Sequence, residues 1–308
     1  MRVLKIRVAT VQFEPLPADK DHNLARVEYF ARAAAEDGAQ LVALPELCLV
    51  GNRHLTRRSP EELRAIAEPE DGPSITRVRE LARRLGTGIA VGLLTERGGR
   101  LFNAYAVCLP DGAVHIHRKL HTAGYNGIDE GDGFTVFDTP WGVRLGVLIC
   151  FDNNIVENVR ATAVLGAQIL LAPHQTGGTH TMVPFGESPL PLSLWENRDT
   201  DPDAVRAAFA GPTGREWLRL HLPARAHDNG MFIVFSNGVG RDDDEVRTGH
   251  AMVVDPCGRI VAESRAIEDA MVSADLDLDL VDGSVGRWWM RARRPELYRE
   301  PAAARSAS

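Results

Sequence analysis

Residues 143–150, VRLGVLIC, form an apolar run broken by a single charge at Arg144. A strand without polar alternation has to be covered on both faces, so packing layers are needed on each side of it. The surrounding segments supply them. Residues 4–13 and 41–46 read as strands, and the helix between them has a candidate cap at Asp21 or Asn23 and a stop at Gly38. Residues 74–85 are amphipathic at helical period, strands follow at 88–94 and 102–109, and the Asp111-Gly112 turn leads into AVHIHRKL. Thr139-Pro140-Trp141-Gly142 then turns the chain into the apolar run. Beyond it come a helix at about 155–165, a strand at 167–172, and a helix at about 215–229 that Pro223 kinks or bounds and Asn229-Gly230 caps. Strands at 231–236, 250–255 and 259–263 complete the core. The stretch from Pro173 to about Gly214 is rich in Pro, Gly and Thr and reads as one long loop.

This alternation, with no break in composition, predicts a single α/β domain over residues 1–283 with helices layered on sheet. Residues 284–308 read as a tail. It carries Trp288, Trp289, Arg291, Arg293, Arg294 and Tyr298, types enriched at buried protein contacts, which suggests an arm that docks on a partner subunit.

Composition narrows the class of function. The 308 residues carry a formal net charge of −7, with basic residues scattered among acids, so no electrostatic footprint for nucleic acid exists and a small-molecule partner is expected. The N-terminus MRVLKIRVATVQFEP lacks the apolar run and cleavage site of a signal peptide, and no stretch approaches membrane-spanning length, so a cytoplasmic location is expected. Cys48, Cys108, Cys150 and Cys257 are dispersed without CxxC spacing, which suggests neither a zinc site nor a disulfide framework.

Cys150 stands where the apolar strand gives way to a turn and helix, FDNNIVENVR. At such a position backbone N–H groups lower a thiol's pKa and donate to a developing oxyanion, although a lone cysteine is more often a small core residue. Glu46 ends the buried LVALPE run, and Lys119 ends another strand in HIHRKLHTAG. Each alone reads as a surface charge. Together, thiol, carboxylate and ammonium supply the nucleophile, the proton shuttle and the positive charge beside an oxyanion that amide hydrolysis needs. His115, His117 and Lys119 share strand parity with His121 nearby, but a third or fourth ligand at a set position is missing, so strand histidines are favoured over zinc. Asp242-Asp243-Asp244-Glu245 reads as a charged hairpin turn as readily as a cation site.

LPEL around Glu46, HRKLH around Lys119, and GVLICFD with ENVR around Cys150 resemble, in order and spacing, the three motif regions of the nitrilase superfamily. VATVQFEP, GAQILLAP, ARAHDNGMFIVFSN, TGHAMVVDPCGRI and RRPELY extend the resemblance from about residue 5 to 298. It implies an α/β fold of the αββα sandwich type that pairs through a homodimer interface into αββααββα. It also implies a second glutamate between lysine and cysteine, and Glu130, with Asp129 and Asp132 beside it, matches that position. Its implied role is to orient Lys119 and the other acid in a site shielded from water. Glu46 would serve as base, acid and base again around a Cys150 thioester, and Lys119 with the Phe151 N–H would hold the oxyanion. No metal or organic cofactor is required.

Nitrile hydrolases of the superfamily show Cys-Trp-Glu, whereas Cys150-Phe151-Asp152 stands with amidases and carbamoyl amidohydrolases. Asn153 and Asn154 occupy places where branches acting on N-carbamoyl amino acids carry arginine, which disfavours a carboxylate-bearing substrate. The expected pocket wall comprises Phe151, Asn153, Asn154, His174, Gln175, Thr176 and parts of the 177–214 loop, whose length suggests a lid. The expected substrate is a carboxamide or N-carbamoyl amine. A nitrile, an acyl transfer to an amine, and a non-catalytic binding role are the alternatives.

Overall fold

Two β-sheets lie face to face between two layers of helices in this computed structural model, which describes residues 5–122, 126–177 and 188–298. The first sheet holds β1 (Lys5–Phe13), β2 (Leu41–Ala43), β4 (Gly88–Arg97), β5 (Arg100–Cys108) and β6 (Val114–Arg118), with β3 (Glu68–Pro69) on β4 and β14 (Ala270–Asp277) on β1. The second runs β10 (Phe232–Asp242), β9 (Ile169–Pro173), β8 (Arg144–Val147), β7 (Thr135–Asp138), and adds β11 (Glu245–Thr248), β12 (Met252–Val254) and β13 (Ile260–Glu263) beyond β10. The sheets join where the ends of β1 and β10 pair in parallel at Gln12–Asn237 and Phe13–Gly238. Their inner strands are parallel and their outer ones antiparallel.

Burial at period two explains why the strands read as continuously apolar. In β1, Ile6 and Val8 face the second sheet, while Ala9, Val11 and Phe13 face α1 (Lys20–Glu36) and α3 (Pro73–Leu85). Leu145, Val147 and Ile149 likewise point between the sheets, while Leu148 packs with residues of α4 (Val156–Val164) and α7 (Trp217–Asn229). These three cores define four layers, αββα, as the resemblance implied.

Several elements differ from the sequence reading. The α1 cap is Asp19, which accepts from the His22 N–H. Asp21 lies in the first turn, and Asn23 is buried, tying Leu16 to Leu49. Strands 41–46 and 143–150 stop pairing at Ala43 and Val147, because their last residues leave the sheet to carry the site. α2 (Pro60–Ile66) was not foreseen. The supposed loop of 173–214 contains α5 (Leu192–Glu196) and α6 (Pro202–Ala210), whose Trp195 and Phe209 rings stack at 6.0 Å over Val239 and Val246. The Pro/Gly content masked the Val205/Phe209 spacing of i,i+4. Pro223 lies inside α7 without ending it, and Gly230, at φ +57°, caps it as expected. Residues read as a tail include α9 (Val285–Arg291), reached through α8 (Asp279–Gly283). α9 is docked on its own domain: Arg287 donates to the carbonyls of Gly230, Ala163 and Ala167.

Candidate active site

Glu46 is fully buried just after β2. The chain there leaves the sheet through Leu47 at φ +47° and lies against β4 at Gly92, where a Cβ would come within 2.2 Å of the Leu47 nitrogen. Only glycine admits that approach. The Leu49 N–H donates to the Gly92 carbonyl at 3.0 Å, which locks the loop. Glu46 Oε1 then accepts from Lys119 Nζ at 2.6 Å and from Asn103 Nδ2 at 2.7 Å. Its Oε2 has no hydrogen-bond partner among the described residues, and the carboxylate acts on the Cys150 thiol through its charge. The Glu46 carbonyl accepts from Gln175 Nε2 at 2.9 Å.

Lys119 is buried at the end of β6, where its N–H donates to the Asn103 carbonyl and its own carbonyl accepts from Gly131. Asn103 on β5 thus touches Lys119 through the backbone and Glu46 through the side chain. It was not singled out in the sequence, where a lone amide in FNAYAVCL was the available signal.

Cys150 adopts φ +47° at the start of a tight 3₁₀ turn, Cys150–Asn153, the strained strand-to-turn geometry of a nucleophile elbow. Burial, then the Glu46 carboxylate, push its thiol up to about 12, against the opposing pull of Lys119 and the Gln175 N–H. Asp152 is buried and collects three backbone N–H groups: Ile149 at 3.1 Å, Leu120 at 3.2 Å and His121 at 2.9 Å. It thereby ties the residue before the nucleophile to the two residues after the lysine.

Asn153 is tied into the elbow: its Nδ2 donates to the Leu148 carbonyl at 2.8 Å, and the Cys150 carbonyl and His174 Nε2 lie at 3.3 and 3.2 Å. His174 is buried against Phe235 and held well below the usual histidine range by desolvation, then by His221 and Lys119, so it is a neutral acceptor. Gln175 and Thr176 are buried where β9 ends, Thr176 bonded through its backbone to the Asn237 amide. Arg225 of α7 donates to the Asn153 and Asn154 carbonyls, which places this guanidinium under the elbow. Phe151 is exposed, edge-on to His121 at 6.1 Å.

Glu130 is not brought into this cluster. It is solvent-exposed, and its carboxylate has no hydrogen bond or ion pair among the described residues; only its carbonyl is engaged, by Arg100. Gly131 pairs with the Lys119 carbonyl, so the chain passes the lysine by its backbone and turns the acid outward. The side chains that touch the Glu46 and Lys119 segments are instead Asn103, bonded to Glu46, and Asp152, bonded to the N–H groups of Leu120 and His121. Asp129 pairs with Arg100.

The strand histidines have other partners. His115 stacks on Phe137 at 3.8 Å, and His117 lies between Thr135 Oγ1 at 3.1 Å and Asp152 Oδ2 at 3.5 Å. Asp242 accepts from Arg247, and Asp244 pairs with Arg53 and Arg57. Among the described residues no three His, Cys, Asp or Glu side chains converge to hold a metal ion. Among the same residues, no helix is long and apolar enough to cross a membrane.

The profile of the carbon–nitrogen hydrolase family matches residues 7–284. Among curated relatives, the omega-amidase of Xenopus tropicalis is 30% identical over 96% of this chain and 97% of its own length. The N-carbamoylputrescine amidase of Solanum lycopersicum is 29% identical over 96% and 94%, and a nitrilase of Pyrococcus abyssi 28% identical over 90% and 91%. Among solved structures, two variants of the amidase from Nesterenkonia sp. AN1 superpose over 96% of both chains at 25% identity. One, in complex with butyramide, has a TM-score of 0.69; the other, with the acetamide moiety of fluoroacetamide added covalently at its active-site cysteine, has 0.71. The chain is thus a cysteine-dependent enzyme that belongs to the carbon–nitrogen hydrolase family.

Proposed function

We propose that Cys150 attacks the carbonyl carbon of a small carboxamide or N-carbamoyl amine, with Glu46 as general base and Lys119 and the Phe151 N–H as oxyanion donors. The observation that carries this reading is the buried carboxylate of Glu46, paired through Oε1 to Lys119 at 2.6 Å and close enough to the Cys150 thiol for its charge to raise it. A thiol held near 12 does not attack unaided, so its proton passes to Glu46 as the C–S bond forms. Glu46 returns that proton to the leaving nitrogen, ammonia departs, and a thioester remains. Water, deprotonated by the same carboxylate, cleaves the thioester and frees the thiol. Lys119, itself buried, keeps a positive charge beside both tetrahedral oxyanions.

The amide assignment is supported by the Cys150-Phe151-Asp152 pattern and by two amidases among the relatives. The test is ammonia release from a matched amide, nitrile, N-carbamoyl amine and N-carbamoyl amino acid. An amide or carbamoyl amine should lead in kcat/KM. A lead for the nitrile would overturn the assignment.

The assembly proposed here is a homodimer built through the segment after residue 284. Trp288 is 65% and Trp289 42% exposed on α9, beside Leu297 and Tyr298, an apolar surface that favours burial against a second copy. A monomeric mass by light scattering at micromolar concentration would refute it. The four cysteines are free, which accords with a reducing cytoplasm.

A further inference from the structure

A groove between α7 and β13 gathers four arginines around one recess. Arg215, Arg219, Arg259 and Arg265 line it with Pro223, Gly258 and Glu263, and it encloses about 570 Å³. None of these residues belongs to the buried cluster at Cys150. Glu263 is the only acid in the lining. Both its oxygens are already engaged by Arg215, Oε1 by Nε at 2.6 Å and Oε2 by Nη2 at 2.8 Å, with Arg265 Nε 3.5 Å from the same Oε2. Four positive charges against one negative leave the recess at about +3, on a chain whose net charge is −7. Composition alone would not concentrate cations here.

One wall is a turn fixed by hydrogen bonds. Asp255 accepts the N–H groups of Cys257 at 2.8 Å and Arg259 at 2.9 Å, which fixes the turn that presents Arg259. That turn is pressed onto α7 where Gly258, at φ +78°, faces Pro223: a Cβ would sit 3.0 Å from the proline carbonyl. Arg215 is held by its two bonds to Glu263, so one of the four guanidinium groups is ordered before a ligand arrives.

We propose that this groove is a second ligand site, for a compact soluble anion carrying two or more negative charges, of the diphosphate class. Guanidinium groups meet phosphate oxygens in bidentate fashion, and several converging on one recess outcompete water where a single one does not. The cations surround one pocket and do not run along a stripe, which fits a small ligand and not a nucleic acid strand.

The test uses the full chain and inorganic pyrophosphate as probe, by isothermal titration calorimetry at low and at moderate salt. Saturable binding with one site per chain is expected, weakening as salt rises. The double reversal Arg219→Glu/Arg259→Glu should weaken it at least about tenfold, the loss expected when two charge-assisted contacts become repulsive. Arg206→Glu, a reversal on α6 outside the groove, should leave it unchanged. Circular dichroism and retained amidase turnover establish that the variants are folded. No binding at millimolar pyrophosphate, or binding insensitive to the double reversal, would overturn the proposal.

Discussion

Replacing Glu46 by glutamine should make Cys150 more acidic while abolishing turnover. In the native site burial and then the Glu46 charge raise the thiol to about 12, with Lys119 and the Gln175 N–H pulling the other way. Glutamine keeps an oxygen for Lys119 and Asn103 but removes the negative charge, so the second-largest raising influence disappears and the lysine is no longer offset. A like charge at contact is worth one to three pH units, about 1.4 kcal/mol each, so a fall of about one to two units is expected. Thiolate at a fixed mildly alkaline pH should then rise about tenfold or more. Turnover should fall by about two to four orders of magnitude, because no group remains to take and return the proton. The assay is an ultraviolet thiolate titration against pH on a Cys257→Ser background, beside ammonia release. Cys257 is the exposed thiol, whereas Cys48 and Cys108 are themselves pushed up to about 12 by burial and stay silent. An unchanged or higher Cys150 pKa, or retained turnover, would refute the account of the carboxylate as both the charge that holds the thiol protonated and its proton acceptor.

Asp152→Asn leaves at least one of three buried N–H groups facing an amide nitrogen. Urea unfolding should show a loss of about 2–4 kcal/mol, and kcat should fall about a hundredfold as Lys119 and Cys150 drift apart; unchanged values of both would remove its bridging role. Gly92→Ala forces the Glu46 loop off β4 by more than an ångström, so kcat should fall at least about tenfold, and wild-type turnover would show the loop to be indifferent to that contact. His221 is pushed down to about 4 by burial, so between there and its unfolded value of 6.5 the unfolded chain binds the extra proton. Its contribution to stability is full above 6.5 and is lost as pH falls through about 4, at most about 3 kcal/mol. His221→Gln should flatten that part of the unfolding-versus-pH curve, and an unaltered curve would place the acid sensitivity elsewhere.

The one-dimensional pattern was enough for the layered α/β architecture and for three residues that the fold brings together. Glu46, Lys119 and Cys150 each stand at the end of a strand core, and the apolar run before each is legible because both faces of these strands are buried. The local signals were also enough for the αL cap at Gly230. Contacts across long loops were not legible. Asn103, on β5, meets Glu46 only because β4 and β5 pair as a hairpin beside β2, which brings residues 57 positions apart to 2.7 Å. The Asp152 bridge depends on the second sheet facing the first, so an acid that read as a marker of the amidase branch is also a tie between two halves of the site. Glu130 failed for the complementary reason: position along the chain names a residue near the lysine, but backbone pairing at Gly131 decides which way its side chain faces. Asn153 turned inward likewise, to hold an elbow whose strain no local preference could announce. Periodicity reports burial of a residue's own element, whereas orientation at a turn is set by partners distant in sequence, and only the packed tertiary structure supplies those.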